Sequence, residues 1–257
     1  MSLDAARRAL ADARRILVVT GAGISAESGI PTFRGEGGLW EGHRAEELAN
    51  LEAFRRDPAK IWRWYRWRRT ICNDALPNPG HQALAAHEAR ELAAHGWTSE
   101  VGFADAPVLL ASQNVDGLHR RAGSRVLIEM HGNIDLGRCT GCGAIGPLAE
   151  DPRVPAAPVP ACTDCGAALR PHILWFGESY WSGVLELCIH HAQRADACLV
   201  VGTSGMVWPP IAVALRAKEC GATLIDVNPN PSQVTEHADH WLQGPSGELL
   251  PELLRGE

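Results

Sequence analysis

The chain has 257 residues, 46 % hydrophobic and 21 % charged, with 24 Lys and Arg against 30 Asp and Glu, a net charge of −6. These proportions suit a soluble globular protein and exclude a chain kept unfolded by low hydrophobicity and high charge. No apolar run approaches the roughly 20 residues that cross a bilayer, and the acidic balance lacks a nucleic-acid binder's basic footprint. Neither a membrane nor a nucleic acid is therefore an expected partner.

Met1–Arg15 is polar with helical spacing and has no apolar core ahead of a small-residue cleavage site. It reads as a helix over Leu3–Ala13 and not as a secretory signal, so a cytoplasmic protein is expected. Ile16–Thr20 reads as a strand and runs into Gly21-Ala22-Gly23-Ile24-Ser25-Ala26. This is the G-x-G-x-x-G/A turn, which lets backbone N–H groups approach a pyrophosphate. Alone the pattern is weak. A dehydrogenase also needs an acid about 20 positions on, ending a second strand. Glu36 and Glu41 instead lie in irregular Gly-rich sequence. A dinucleotide is plausible; hydride transfer is not supported.

Gly35–Ala75 interrupts the pattern with tryptophan-rich, mostly helical sequence, including a helix over Pro58–Ile71. Further helices are expected at Gly80–His95, Gly183–Arg194, Pro210–Glu219 and Gly247–Leu254, and strands at Val108–Ser112, Val126–His131, Ala197–Gly202 and Thr223–Asn228. Strands separated by helices imply βαβ units and an α/β, Rossmann-like, mostly parallel sheet. The expected organisation is a single domain over 1–257. Its Rossmann-like core takes residues 1–34, 76–134 and 172–257, with a helical insertion at 35–75 and a small metal-binding module at 135–171. Trp97–Pro107 carries no functional reading.

The module follows from the cysteines. Eight cysteines in a chain neither small nor evidently secreted point to metal ligation more than to disulfides. Cys139 and Cys142 form one C-x-x-C and Cys162 and Cys165 another, a spacing at which four thiolates close a tetrahedron around Zn²⁺. With all four positions filled by protein, the metal should organise the fold and not catalyse. Cys72, Cys188, Cys198 and Cys220 lie in helix or strand patterns and are expected to be buried.

Polar residues gather after strands: Gln113-Asn114-Val115-Asp116 after Val108–Ser112, His131-Gly132 after Ile128–Met130, Thr203-Ser204 after Leu199–Gly202, and Asn228-Pro229-Asn230 after Ile225–Val227. Ligands of open parallel sheets bind outside the carboxyl ends of the strands, so these residues form one candidate site.

Together with Ile30-Pro31-Thr32-Phe33-Arg34-Gly35 and the four cysteines, these motifs, in unbroken order from about Leu10 to Leu254, make the chain resemble a sirtuin. Sirtuins are NAD-dependent protein deacylases that consume NAD as a co-substrate, which accounts for the missing ribose-binding acid. The resemblance implies a mechanism. The carbonyl oxygen of an acylated lysine attacks C1′ of the nicotinamide ribose, nicotinamide leaves, and an alkylamidate forms. His131 as general base then allows the attack that frees lysine and gives O-acyl-ADP-ribose. An imidazole suits this because its ordinary pKa of about 6.5 lies near working pH.

The resemblance further implies that Asn114 positions the ribose and a water. Asp116 and the Ile30 backbone would hold the nicotinamide carboxamide. Gly21, Ala22, Arg34 and Ser204 would surround the phosphates, Gln113 would support the ribose, and Asn228, Asn230 and Ser246 would meet the adenosine. Gly23, Phe33, Trp40, Gly202 and Thr203 complete the expected NAD set. The acyl-lysine protein should bind as an extended strand between Phe176-Gly177-Glu178 and the segment around Val207, with Val207, Phe176 and His131 as tunnel walls. Ordinary core packing is the competing reading of Phe176.

In Ile61-Trp62-Arg63-Trp64-Tyr65-Arg66-Trp67-Arg68-Arg69, Tyr65 and Arg68 are three apart and share a helix face. The pair resembles the Tyr-x-x-Arg of the desuccinylase branch of sirtuins, and Ala45 falls where that branch keeps a small pocket residue. The plainer reading is an amphipathic helix with tryptophans inside and arginines in water, which accounts for Arg63, Arg66 and Arg69. Two functional alternatives stay open: an NAD-dependent protein ADP-ribosyltransferase, and a catalytically silent zinc- and nucleotide-binding interaction module. A monomer is expected.

Overall fold

The computed structural model describes residues 3–32 and 39–256. Helix α1 (Leu3–Ala11) precedes strand β1 (Ile16–Thr20), and β2 (Leu39–Trp40) pairs with β3 (His43–Arg44). Helices α2 (Ala45–Leu48), α3 (Leu51–Arg56), α4 (Pro58–Asp74) and α5 (Pro79–Ala94) follow. Next come β4 (Val108–Ser112), α6 (Leu118–Ala122), β5 (Leu127–Glu129), β6 (Gly132–Cys139), β7 (Ile145–Pro147) and β8 (Leu169–Ile173). The chain continues through α7 (Val184–Ala192), β9 (Ala197–Val201), α8 (Trp208–Glu219), β10 (Thr223–Asn228), β11 (His240–Gln243) and α9 (Ser246–Leu253).

Six strands form a parallel sheet of order β11-β10-β9-β1-β4-β5. Both of its faces are covered, which is why β1, β4 and β9 are continuous apolar runs buried at every residue. Alternate side chains serve opposite faces. Leu17, Val19, Leu109 and Val200 pack with Cys188 of α7 and Ala214 of α8. Ile16, Val18, Leu110 and Leu199 pack with Leu10 of α1, Leu84 of α5 and Leu250 of α9. The chain leaves β1 for β4 on one side and later returns to β9 on the other. The strand order therefore reverses at β1, and the ligand crevice of such a sheet opens beyond its carboxyl end.

The helical segment packs as a separate apolar cluster in which Phe54, Ile61, Trp62, Trp64, Tyr65 and Trp175 are buried. Asp57 caps α4, its carboxylate accepting from the Lys60 N–H at 2.9 Å, and Pro58 takes the first helical position, where no N–H is needed. Arg66 and Arg69 are not in water. Arg66 is 1 % exposed; it forks onto Glu150 and donates to the Ala157 and Pro158 carbonyls at 2.8 and 2.7 Å. Arg69 reaches Asp135 and the Leu148 and Glu150 carbonyls. The prolines of the 152–160 stretch leave carbonyls without ladder partners, and the guanidinium forks take them up.

The cysteine region builds on a second sheet, β7-β6-β8, antiparallel throughout. Strand β5 stops at Glu129, short of the expected His131. Gly132, at φ +86°, turns the chain out of the parallel sheet and into β6. Strand β9 likewise stops at Val201 because Gly202 is at φ +61°. Cys72, Cys188 and Cys198 are buried, whereas Cys220 is exposed: it caps α8, where the chain leaves the packed face. Strand β11 was not foreseen, because His240-Trp241-Leu242-Gln243 has no β-branched residue and pairs along one edge only.

Candidate active site

Directly after β1, residues Ala22–Ser28 form a 3-10 turn locked against the end of β9. The Gly21 and Gly23 N–H groups donate to the Val201 and Gly202 carbonyls at 3.0 and 2.7 Å. A Cβ on Gly21 would stand 2.8 Å from that of Thr203, and one on Gly23 would stand 2.7 Å from the Gly202 oxygen. The glycines therefore let two loops approach closely at the switch point. The turn is also tied at its far end. Asn78, the cap of α5, donates to the Ile24 carbonyl at 2.7 Å, and Glu27 accepts from the Ser246 hydroxyl and the Gly247 N–H at the start of α9.

Asn114 and Asp116 converge on this turn. Both Asn114 amide hydrogens are committed, to the Gly21 carbonyl at 3.1 Å and the Ser25 hydroxyl at 3.0 Å, so its Oδ1 is the end left to meet a hydroxyl or water. The Ser25 hydroxyl donates to Asp116 at 2.8 Å, and the other Asp116 oxygen accepts the Leu118 N–H at 2.8 Å. Asp116 is 5 % exposed, and burial raises its pKa, opposed by those hydrogen bonds and by Arg121 and Arg68. Below lie two buried imidazoles, His81 and His119, with rings 4.8 Å apart. Burial lowers both pKa values, His81 to about 4 and His119 well below the usual value, so they form a neutral floor.

His131 stands at the hinge between the two sheets. Its Nδ1 lies 2.9 Å from the Gln113 carbonyl oxygen, which can only accept, so Nδ1 carries the proton. In the neutral ring Nε2 is then the acceptor, and the Tyr180 hydroxyl donates to it at 2.8 Å. Burial pushes the His131 pKa down, against the opposing pull of the Gln113 carbonyl. At neutral pH this is an unprotonated imidazole with one lone pair aimed at a hydroxyl. That arrangement meets the geometric need of a general base.

The other expected residues lie around this centre. The Gln113 amide donates to Thr20 O and Thr203 Oγ1, both at 3.3 Å. Thr203 is buried, Ser204 exposed and Ile30 half-buried. Asn228 is buried and bonds Asp226, while Asn230 is exposed. Phe33, Arg34 and the side chain of Trp40 lie outside the described residues. Phe176 is 53 % exposed, which removes core packing as its role; Val207 and its neighbours Met206 and Trp208 are also exposed. Gly177 takes φ +84° between Phe176 and Glu178.

Ala45 and Tyr65 are buried in one apolar cluster with Val115. The Tyr65 oxygen accepts from Trp175 Nε1 at 2.8 Å, leaving its own proton to donate. Burial pushes its pKa up to about 12, so it remains a neutral donor. Arg68, half-buried, lies 5.2 Å above the Trp64 ring and acts electrostatically on both Tyr65 and Asp116. Tyr180, Ser25, His81 and His119 were missed as site residues. Ser25 lay inside the glycine motif, but nothing local marks Tyr180.

The four Sγ atoms of Cys139, Cys142, Cys162 and Cys165 lie within 4.8 Å of one another, with Cys139–Cys165 at 3.4 Å and Cys142–Cys162 at 3.8 Å. Sulfurs about 2.3 Å from a tetrahedral Zn²⁺ stand about 3.8 Å apart, so the donor set and spacing fit zinc. All four ligands are protein, as a structural site requires.

The sequence pattern of the Sir2 family matches residues 21–209, and this chain belongs to that family. The chain is 48 % identical over 245 residues to "NAD-dependent protein deacylase 2" of Pyrobaculum aerophilum, covering 95 % of this chain and 92 % of that one. It is 47 % identical to an "NAD-dependent protein deacylase" of Thermococcus kodakarensis, covering 98 % and 95 %. Among solved structures, a Sir2 homolog–NAD complex superposes with a TM-score of 0.86 at 42 % identity, covering 98 % and 92 %. A Sir2–p53 peptide–NAD⁺ structure superposes at 0.82 with 28 % identity, covering 98 % and 97 %.

Proposed function

We propose that this chain is an NAD-dependent protein-lysine deacylase that removes acetyl and succinyl groups, with one structural Zn²⁺. Its products are nicotinamide, free lysine and O-acyl-ADP-ribose. The observation that carries the reading is His131: a neutral imidazole with an accepting Nε2 beside Asn114 and the β1 switch-point turn. NAD is the co-substrate that supplies the ribose, and binding as far as nicotinamide release is assigned to the residues after β1, β4, β9 and β10. Once the ribose hydroxyl displaces the Tyr180 hydroxyl from its one lone pair, His131 Nε2 takes the ribose proton while Nδ1–H stays on the Gln113 carbonyl, so the ring does not rotate as it charges. Asn114 Oδ1 orients the ribose or a water, and Asp116 accepts from the nicotinamide carboxamide. Exposed Phe176 and Val207 offer apolar edges between which an extended acyl-lysine peptide can lie.

The acidic acyl preference rests on Tyr65 and Arg68. An apolar tunnel strips water from a succinyl carboxylate at a cost of several kcal/mol. A half-buried guanidinium and the free Tyr65 proton replace that water. Hydrogen bonds to charged groups contribute about 1.5–3 kcal/mol, so Arg68→Met should lower kcat/KM for succinyl-lysine by roughly 10- to 100-fold. Acetyl-lysine, without a carboxylate, should change only a few-fold. Mass spectrometry of acetyl- and succinyl-lysine peptides, with and without NAD, reads both. Equal losses on the two substrates would leave α4 a packing helix and remove the succinyl assignment.

A further inference from the structure

Behind the Phe176–Glu178 segment, a cavity of about 230 Å³ opens between β6, β8 and residues 178–181. Arg138 of β6 and Arg170 of β8 are direct cross-strand partners on its wall, two like charges in opposition, an arrangement that costs stability unless an anion offsets it. Glu178 offsets one of them, binding Arg170 with both oxygens and accepting the Trp175 N–H at 2.9 Å. Arg138 makes no ion pair within 4.0 Å among the described residues, although the Glu178 carboxylate also attracts it through space. Its guanidinium lies 5.1 Å from the Trp181 ring centroid, half-buried. The Nε atoms of both arginines and His172 Nδ1 are buried without a hydrogen-bond partner. His172 stacks on the same Trp181 at 4.3 Å, and its pKa is lowered to about 4 by burial and then by the two arginines. The cavity thus sets two guanidinium groups against one carboxylate, leaving a net positive charge beside an aromatic side. That imbalance favours a single anion.

We infer that this cavity is a second substrate subsite, which receives the carboxylate of an Asp or Glu side chain flanking the acylated lysine. The source follows from position. Glu178 and Trp181 belong to the segment that continues from Phe176 and Gly177, along which the substrate strand is proposed to lie, and Trp181 packs against Gly132, next to His131. An acid on the same strand as the acyl-lysine reaches the cavity without a separate molecule. The inference rests on the deacylase reading, since that reading supplies the peptide.

The test uses the full-length, zinc-loaded enzyme and a set of acetyl-lysine peptides carrying Glu or Gln at each flanking position in turn. Both kcat/KM with NAD and peptide Kd by fluorescence anisotropy are measured. A charged hydrogen-bonded contact predicts that at one position the Glu peptide exceeds the Gln peptide by about tenfold in both quantities. Arg138→Met should bring that ratio to about one, and Arg138→Lys, which keeps the charge but loses the fork, should keep part of it. A wild-type ratio near one at every position overturns the inference, as does a ratio that survives Arg138→Met. If Arg138→Met fails to fold, Arg138→Lys is the variant read, and a ratio undiminished in it overturns the inference. Inorganic phosphate that binds in an Arg138-dependent way, with no peptide ratio, would mark a free-anion site and refute the substrate assignment. Peptides that bind without being deacylated contradict the deacylase reading alone, because the Kd ratio is still read.

Discussion

At His131, two hydrogen bonds fix both the tautomer and the charge. Nδ1–H is held by a carbonyl and Nε2 by the Tyr180 hydroxyl, and both burial and that donor favour the neutral ring. A base is active when unprotonated, so a lowered pKa keeps it active further into acid. The acidic limb of kcat/KM should therefore have its midpoint below the ordinary histidine value of about 6.5. Tyr180→Phe removes a donor to the neutral form and should move that limb upward; a downward shift would contradict the tautomer. His131→Ala should lose a factor of at least about 10²–10⁴ in turnover while leaving the fold intact, and near-wild-type turnover by a folded variant would remove His131 from its role. The sequence singled out His131 and Asn114 because each lies within a few residues of the end of an apolar run, and the structure sets both beyond strand ends as expected. It hid Tyr180, whose contact spans 49 positions from an irregular segment that has no periodicity.

Helix α4 starts at Pro58 as expected but runs past the expected Ile71 to Asp74, and the plainer reading of its arginines as solvent-facing fails for Arg66 and Arg69. Its cap, its N1 proline and its apolar face are local signals, and all of them fix the helix. The arginines were misread because their partners, Glu150, Asp135 and proline-flanked carbonyls, lie more than 60 positions away, where helical spacing carries no information. Arg66 and Arg69 fasten the cysteine sheet to the helical segment, with Arg66 and Glu150 forming a largely buried pair. Removing one partner of such a pair leaves a buried charge, so Arg66→Ala should cost about 3–5 kcal/mol. Thermal unfolding of the zinc-loaded protein measures this. A loss like that of a surface arginine, under about 1 kcal/mol, would contradict the fastening role.

For the whole molecule, the parallel sheet was readable because its strands are buried on both faces and so stand out as apolar runs between helices. The strand order was not, since order is decided by crossovers rather than by local pattern. The site depends on that order: the reversal at β1 sets the glycine turn, Asn114, Thr203 and Asn228 around one crevice, while Gly132 carries the chain from His131 into the cysteine sheet. The cysteine sheet is therefore tied to His131 through Gly132, which pairs with Ile173 of β8, and through the His131 carbonyl, which accepts the Leu174 N–H at 2.9 Å. A strong chelator should release one Zn²⁺ per chain and unfold at least the β6–β8 sheet, with Cys162→Ser acting likewise; a metal-free preparation that is folded and fully active would contradict this. The most direct test of the central claim is a stoichiometric one, in which an acyl-lysine peptide and NAD are incubated with the enzyme and every product is weighed by mass spectrometry. The account predicts nicotinamide, deacylated peptide and O-acyl-ADP-ribose in equal amounts and none without NAD. Deacylation without NAD, or ADP-ribose attached to protein in place of free O-acyl-ADP-ribose, would contradict it.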